Sequence, residues 1–122
     1  MSTLQDTPYS RSPAWRACYE LAIALYLATR GWPRSELYGL TSQVRRAAYS
    51  APANIAEGMA RRGSGELRRF VDIALGSLAE LDVALRMALD TDLLDQTGWA
   101  RLEALRQTAG RLTGGLARSL RR

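Results

Sequence analysis

The chain contains no histidine. That absence removes the side chain used most often as general base and metal ligand, along with every Ser-His or Cys-His pairing and every cysteine–histidine zinc site. Cysteine is nearly as scarce: Cys18 stands alone, so no disulfide can form within the chain. It lies among apolar residues at helical spacing, where a buried structural thiol is expected rather than a nucleophile. Lysine is missing as well, and all 17 basic residues are arginine. GC-rich coding would produce that bias by itself, but the physical consequence is the same. Each positive charge is a flat donor fork that suits phosphate and carboxylate alike. No apolar run approaches the roughly 20 residues of a membrane span, and the N-terminus shows no apolar signal core, so a cytoplasmic location is expected. With no glycine-rich phosphate loop and no metal-ligand spacing, neither a cofactor nor a metal is expected.

What remains is ordinary in bulk and unusual in detail. The 122 residues suit one domain, with 47% hydrophobic and 24% charged residues. A net charge of +5 and a pI near 10.1 admit an acidic partner such as nucleic acid. Residues 1–13 carry Thr, Ser, Asp and two prolines without periodicity, and read as a flexible tail. Residues 14–122 read as a single helical domain.

The periodicities predict four helices. The first begins near Ala14, with Cys18, Leu21, Leu25 and Ala28 on one seam and Trp15, Tyr19, Ala22 and Tyr26 on a second, and stops at Gly31-Trp32-Pro33. The second, capped by Thr41 or Ser42, turns Val44, Ala48, Ala51 and Ile55 to one side. Pro52 falls in its interior, which predicts a kink or, as the alternative, two short helices. Gly63 is expected to close this helix and Ser64 to cap the third. There Leu67, Val71, Ala74, Leu78, Leu81, Leu85 and Ala88 form a heptad seam, flanked by Phe70, Ile73, Ala84 and Met87. Two apolar stripes on one helix imply a partner surface beyond the monomer's own core. After a polar turn from Asp90 to Gly98, the fourth helix runs from about Trp99 with Leu102, Leu105, Ala109, Leu112, Leu116 and Leu120 inward. No segment reads as a strand. Short connections favour an all-α, antiparallel up-down-up-down four-helix bundle.

The run Tyr49-Ser50-Ala51-Pro52-Ala53-Asn54-Ile55-Ala56-Glu57-Gly58 is more specific than packing alone would require. Together with Glu36-Leu37-Tyr38-Gly39-Leu40-Thr41-Ser42-Gln43, Arg45-Arg46-Ala47-Ala48 and Ile73-Ala74-Leu75-Gly76-Ser77-Leu78-Ala79-Glu80-Leu81, it resembles the 23S rRNA intervening-sequence protein family. The resemblance implies a left-handed four-helix bundle assembling as a homopentameric barrel. Family members are encoded in intervening sequences of some bacterial large-subunit rRNA genes. A related branch, the accessory variability proteins of diversity-generating retroelements, binds a reverse transcriptase and RNA. The all-arginine charge, and Ala51 in place of a larger aliphatic residue, depart from the family pattern.

Two arginine groups are the candidate nucleic-acid contacts. Arg61, Arg62, Arg68 and Arg69 flank the predicted turn between helices two and three, and Arg111, Arg118, Arg121 and Arg122 form a C-terminal strip. Such groups hold phosphate through charge-assisted bonds without reading sequence, but solvated helix ends would look the same, and cations near a helix C-terminus are favourable in any case. Arg46, Ser50, Asn54 and Glu57, with Arg61 beyond them, share one polar stripe of the second helix, read as a network at a subunit interface or, as the alternative, the lining of a small ligand site. Glu57 with Asp72 or Glu80 is the only acid/base pairing on offer, with no nucleophile beside it, so no enzyme is expected. Trp15, Trp32, Tyr38 and Tyr49 could stack RNA bases but are expected in the core or an interface. The expected function is a non-catalytic homopentameric scaffold for structured RNA. A scaffold for a protein such as a reverse transcriptase is the alternative.

Overall fold

The computed structural model describes residues 7–121. Four helices, α1 (Pro13–Thr29), α2 (Leu40–Ala60), α3 (Ser64–Asp90) and α4 (Gln96–Ser119), follow one another, with a single 3-10 turn, Arg34–Glu36, between the first two. No strand occurs among the described residues. Each helix packs on its neighbours in the order α1, α2, α3, α4 and back to α1, while the diagonal pairs do not meet. This is the up-down-up-down bundle that the periodicities predict.

The helix ends differ from the sequence expectation in ways that local chemistry explains. The Ser12 hydroxyl accepts from the Trp15 amide at 3.2 Å, and Pro13 opens α1 at the position where its missing N–H is harmless. Residues 7–12, read as part of the tail, instead fold back onto α1. The Arg16 Nε donates to the Ser10 carbonyl at 2.9 Å, and the Tyr9 ring lies 4.6 Å from that of Trp15. The rest of the expected tail, residues 1–6, lies outside the described residues.

At the other end of α1 the chain makes the 3-10 turn that periodicity did not reveal. From it Glu36 reaches forward, its carboxylate accepting from the Leu40 amide at 3.4 Å. Helix α2 therefore begins at Leu40 after Gly39, and not after a Thr41 or Ser42 cap. Thr41 is drawn into the first turn, only 3% exposed, and its hydroxyl has no partner among the described residues. Pro52 is buried within one continuous α2, so the two-helix alternative does not hold. At the next turn Gly63 adopts φ +91° and precedes the first residue of α3, Ser64, while Arg61 ends α2. A positive φ is where glycine is needed, so Gly63 serves the start of α3 rather than the end of α2. Asp95 caps α4, its carboxylate accepting from the Gly98 amide at 2.7 Å, which starts that helix ahead of Trp99.

The core is built from leucines and many alanines. Leu21, Leu25, Val44, Ala48, Ile55, Val71, Leu78, Leu81, Leu85 and Leu102 are all almost wholly buried, each large aliphatic contributing about 1.5–3 kcal/mol. The α3 seam holds from Val71 to Ala88, with Leu67 half-buried. Its flanking stripe divides: Phe70 and Ala84 are buried, whereas Ile73 and Met87 stay 42% and 52% exposed. Gly58 explains one fixed residue of the Asn-Ile-Ala-Glu-Gly run. A Cβ placed there would lie 2.9 Å from both the Leu67 Cδ1 and the Phe70 Cβ, so glycine lets α2 and α3 close together just before their turn.

Candidate nucleic-acid interface

The antiparallel order decides where the two arginine groups fall. The end of α2 and the start of α3 meet at the turn, and the last turns of α4 pack beside the start of α1, where Arg111, Leu112 and Gly115 line a groove with Ser12 and Pro13. Arg61, Arg62, Arg68 and Arg69 therefore share one end of the bundle with Arg111, Arg118 and Arg121. Arg122 lies outside the described residues. This gathering is invisible in the linear sequence, because the groups are about half a chain apart.

Within the turn group the four side chains are not equivalent. The Arg61 guanidinium bonds the Glu57 carboxylate at 2.6 Å, and this partner raises its pKa further. Arg69 reaches Glu66 at 3.4 Å. Both arginines lie over Phe70, the only phenylalanine, with guanidinium carbons 5.3 Å and 4.5 Å from its ring centre. A cation over a ring face keeps its edge donors outward, so Arg61 and Arg69 are oriented as well as paired. Arg62 and Arg68 are exposed and have no ion pair among the described residues. Arg111, Arg118 and Arg121 are likewise exposed and unpaired.

The polar stripe of α2 resolves into three separate arrangements within the subunit. Asn54 Nδ2 donates to the Ser50 carbonyl at 2.8 Å and to its hydroxyl at 3.0 Å. Ser77 of α3, buried, donates to the same hydroxyl at 2.8 Å, so Ser50, Asn54 and Ser77 tie α2 to α3. Arg46 stands apart and bonds Gln43, and Glu57 belongs to Arg61. Glu57 is about half exposed in that pair, with neither Asp72 nor Glu80 bonded to it.

Other expectations sort by burial. Cys18 is buried with its Sγ 3.4 Å from the Thr113 hydroxyl, and burial pushes its thiol pKa up despite that contact, which leaves it inert. Trp15 is buried and Trp32 packs half-buried on the core, but Tyr38 and Tyr49 are 94% and 70% exposed. Sequence reading missed the α3–α4 clasp: Arg106 bonds Glu103 through two nitrogens, Nε at 2.8 Å, and comes within 3.7 Å of Asp82. The i, i+3 spacing of Glu103 and Arg106 was its only signal. Among the described residues no cluster of His, Cys, Asp or Glu could hold a metal, and no helix is long and apolar enough to cross a membrane.

An antiparallel four-helix bundle with arginines gathered at one end is thus the class this chain defines. The family model for the 23S rRNA-intervening sequence protein matches residues 11–115, and the chain belongs to that family. No curated protein matches it. Among solved structures it resembles a protein of unknown function from the S23 ribosomal protein family of Bacteroides thetaiotaomicron. The TM-score is 0.72 at 16% identity, covering 89% of this chain and 99% of the other. At that identity the likeness carries the fold.

Proposed function

We propose that the protein is a non-catalytic, homopentameric scaffold that binds structured RNA through its arginine-bearing end. The observation that carries this reading is the convergence of the two arginine groups on one end of the bundle, with Arg62, Arg68, Arg111, Arg118 and Arg121 in no ion pair among the described residues. Guanidinium groups so placed suit phosphate oxygens and give sequence-independent, salt-sensitive affinity. Two distinct exposed apolar patches favour cyclic assembly, because a ring joins unlike surfaces of neighbouring subunits. One is the groove of about 290 Å³ between α1 and α2, where Tyr19 and Ile23 lie; the other is Val83 and Met87 of α3 beside Leu40 of α2. A ring would repeat the basic end around its axis. The α1–α2 groove also favours a second reading, a docking scaffold for a protein such as a reverse transcriptase.

The test is binding of a folded RNA across a salt series, with assembly mass measured in parallel. The expected result is a pentamer whose affinity falls steeply with salt. Reversing Arg61, Arg62, Arg68 and Arg69 to Glu is expected to weaken binding on the order of a hundredfold or more and flatten the salt slope by about four, with the mass unchanged. A pentamer without RNA affinity at low salt would leave the protein-docking reading, and a monomer would remove the assembly.

A further inference from the structure

The opposite end of the bundle carries a second, chemically different surface. Where the 3-10 turn leads into α2, a pocket of about 510 Å³ is lined by Tyr26, Tyr38, Tyr49, Arg45, Arg46 and Thr41, among others. Its two arginines are held rather than loose. Arg45 Nε donates to the Thr29 hydroxyl at 2.9 Å and its guanidinium lies 4.9 Å from the Tyr26 ring centre, while Arg46 is fixed by Gln43. Among the described residues neither forms an ion pair, and no carboxylate lines the pocket. Glu36, on the 3-10 turn, faces the Leu40 amide instead. Tyr38 and Tyr49 expose most of their rings, and no tyrosine hydroxyl here has a partner among the described residues. Thr41, buried in the wall, adds a hydroxyl that is also unpartnered.

We propose that this pocket holds unpaired nucleotides of an RNA strand, with a base stacked on Tyr38 and phosphate oxygens on Arg45 and Arg46. Exposed aromatic faces beside fixed guanidiniums are the pairing that single strands require, since every base offers a face and every linkage a charge. Asp90, at the end of α3, and Asp92 and Asp95 beyond it lie at this same end, where they offset Arg30 and Arg34 of the α1–α2 connection. The surrounding field is therefore not broadly positive, and stacking rather than counterion release carries the affinity. The inference shares with the reading above the class of partner, and Tyr26 and Tyr49 line both this pocket and the α1–α2 groove. Arg46 and Arg61 stand roughly 22 Å apart along α2, so the two surfaces fail or succeed independently.

The probe is a fluorescent oligouridine of about 8 nucleotides, too short and uniform to fold, followed by anisotropy with the intact protein. Binding is expected at low salt with a shallow slope, about −1.4 in log affinity against log salt for two phosphates. Tyr38→Ala decides the matter, because that ring is 94% exposed and lies outside the α1–α2 groove, so neither fold nor assembly depends on it. It is expected to weaken binding about tenfold, with Tyr38→Phe restoring it and the four-arginine reversal at the far end leaving most of it intact. No binding at low salt, or equal binding by Tyr38→Ala, would overturn the proposal. Preference for the matching oligodeoxythymidine would overturn its assignment to RNA. If folded RNA fails to bind while oligouridine binds through Tyr38, the basic-end reading falls and this one stands.

Discussion

The two ends of this bundle carry the same cation in two different settings. At the α2–α3 turn, arginines project from helix termini, two of them laid on Phe70 and paired with Glu57 and Glu66, the others open to solvent. At the opposite end Arg45 and Arg46, near the start of α2, line the surface pocket, each tethered by a neutral partner and set among tyrosine rings. The first arrangement produces a field, the second a geometry. An isolated guanidinium attracts phosphate wherever it stands, but only an aromatic beside it adds a place for a base.

The sharpest way to break one end and spare the other is Gly58→Val. The added side chain meets Leu67 and the Phe70 Cβ, the platform on which Arg61 and Arg69 rest. Forcing α2 from α3 there is expected to cost about 2 kcal/mol, lowering Tm by roughly 6–12 °C in thermal unfolding. Folded-RNA affinity should drop in the surviving native protein, while oligouridine binding at the tyrosine end holds. An unchanged Tm would mean that the helices already have room for the methyls, and that Gly58 is not what closes the turn.

How much of this contrast was legible beforehand follows from what each feature depends on. The four helices and the α3 seam rest on local periodicity, so they could be read directly. The caps could not: Glu36 supplies the acceptor for Leu40 from a 3-10 turn too short to leave a periodic trace, and this displaces Thr41 from the cap into the wall of a pocket. The arginines were individually obvious, yet their meeting at one end requires the antiparallel path. Tyr38 and Tyr49 were expected in the core or an interface. Residue type argues for burial, and the packed bundle keeps both out of its own core.

A sheltered ion pair sets the scale against which the exposed pairs of the basic end are judged. Arg106 holds the Glu103 carboxyl below the usual carboxylate range, against the opposing effect of burial, and both side chains are largely covered. A carboxylate with a depressed folded pKa stabilises the fold above its unfolded value, near 4.3, and that contribution fades as pH falls through the folded value. Glu103→Gln is expected to remove about 1 kcal/mol at neutral pH. It should also flatten the stability profile between pH values of about 5 and 3, as read by denaturant unfolding across pH. An unaltered profile would show that the clasp is neutral in balance.

The smallest effect is expected at the exposed counterpart, and it has the opposite functional sign. Glu57 and Arg61 are each about half exposed, so solvent screens their attraction and the pair contributes little to folding. Glu57→Gln should therefore leave Tm within about 2 °C. The same change frees a guanidinium still held by the Phe70 ring, so folded-RNA affinity should rise about two- to threefold, with the salt slope steeper by up to about one. Oligouridine binding, some 20 Å away by helix rise, should not respond. A variant that loses RNA affinity instead would show that Glu57 orients Arg61 for binding rather than competing for it. The basic end would then be an organised site rather than a field.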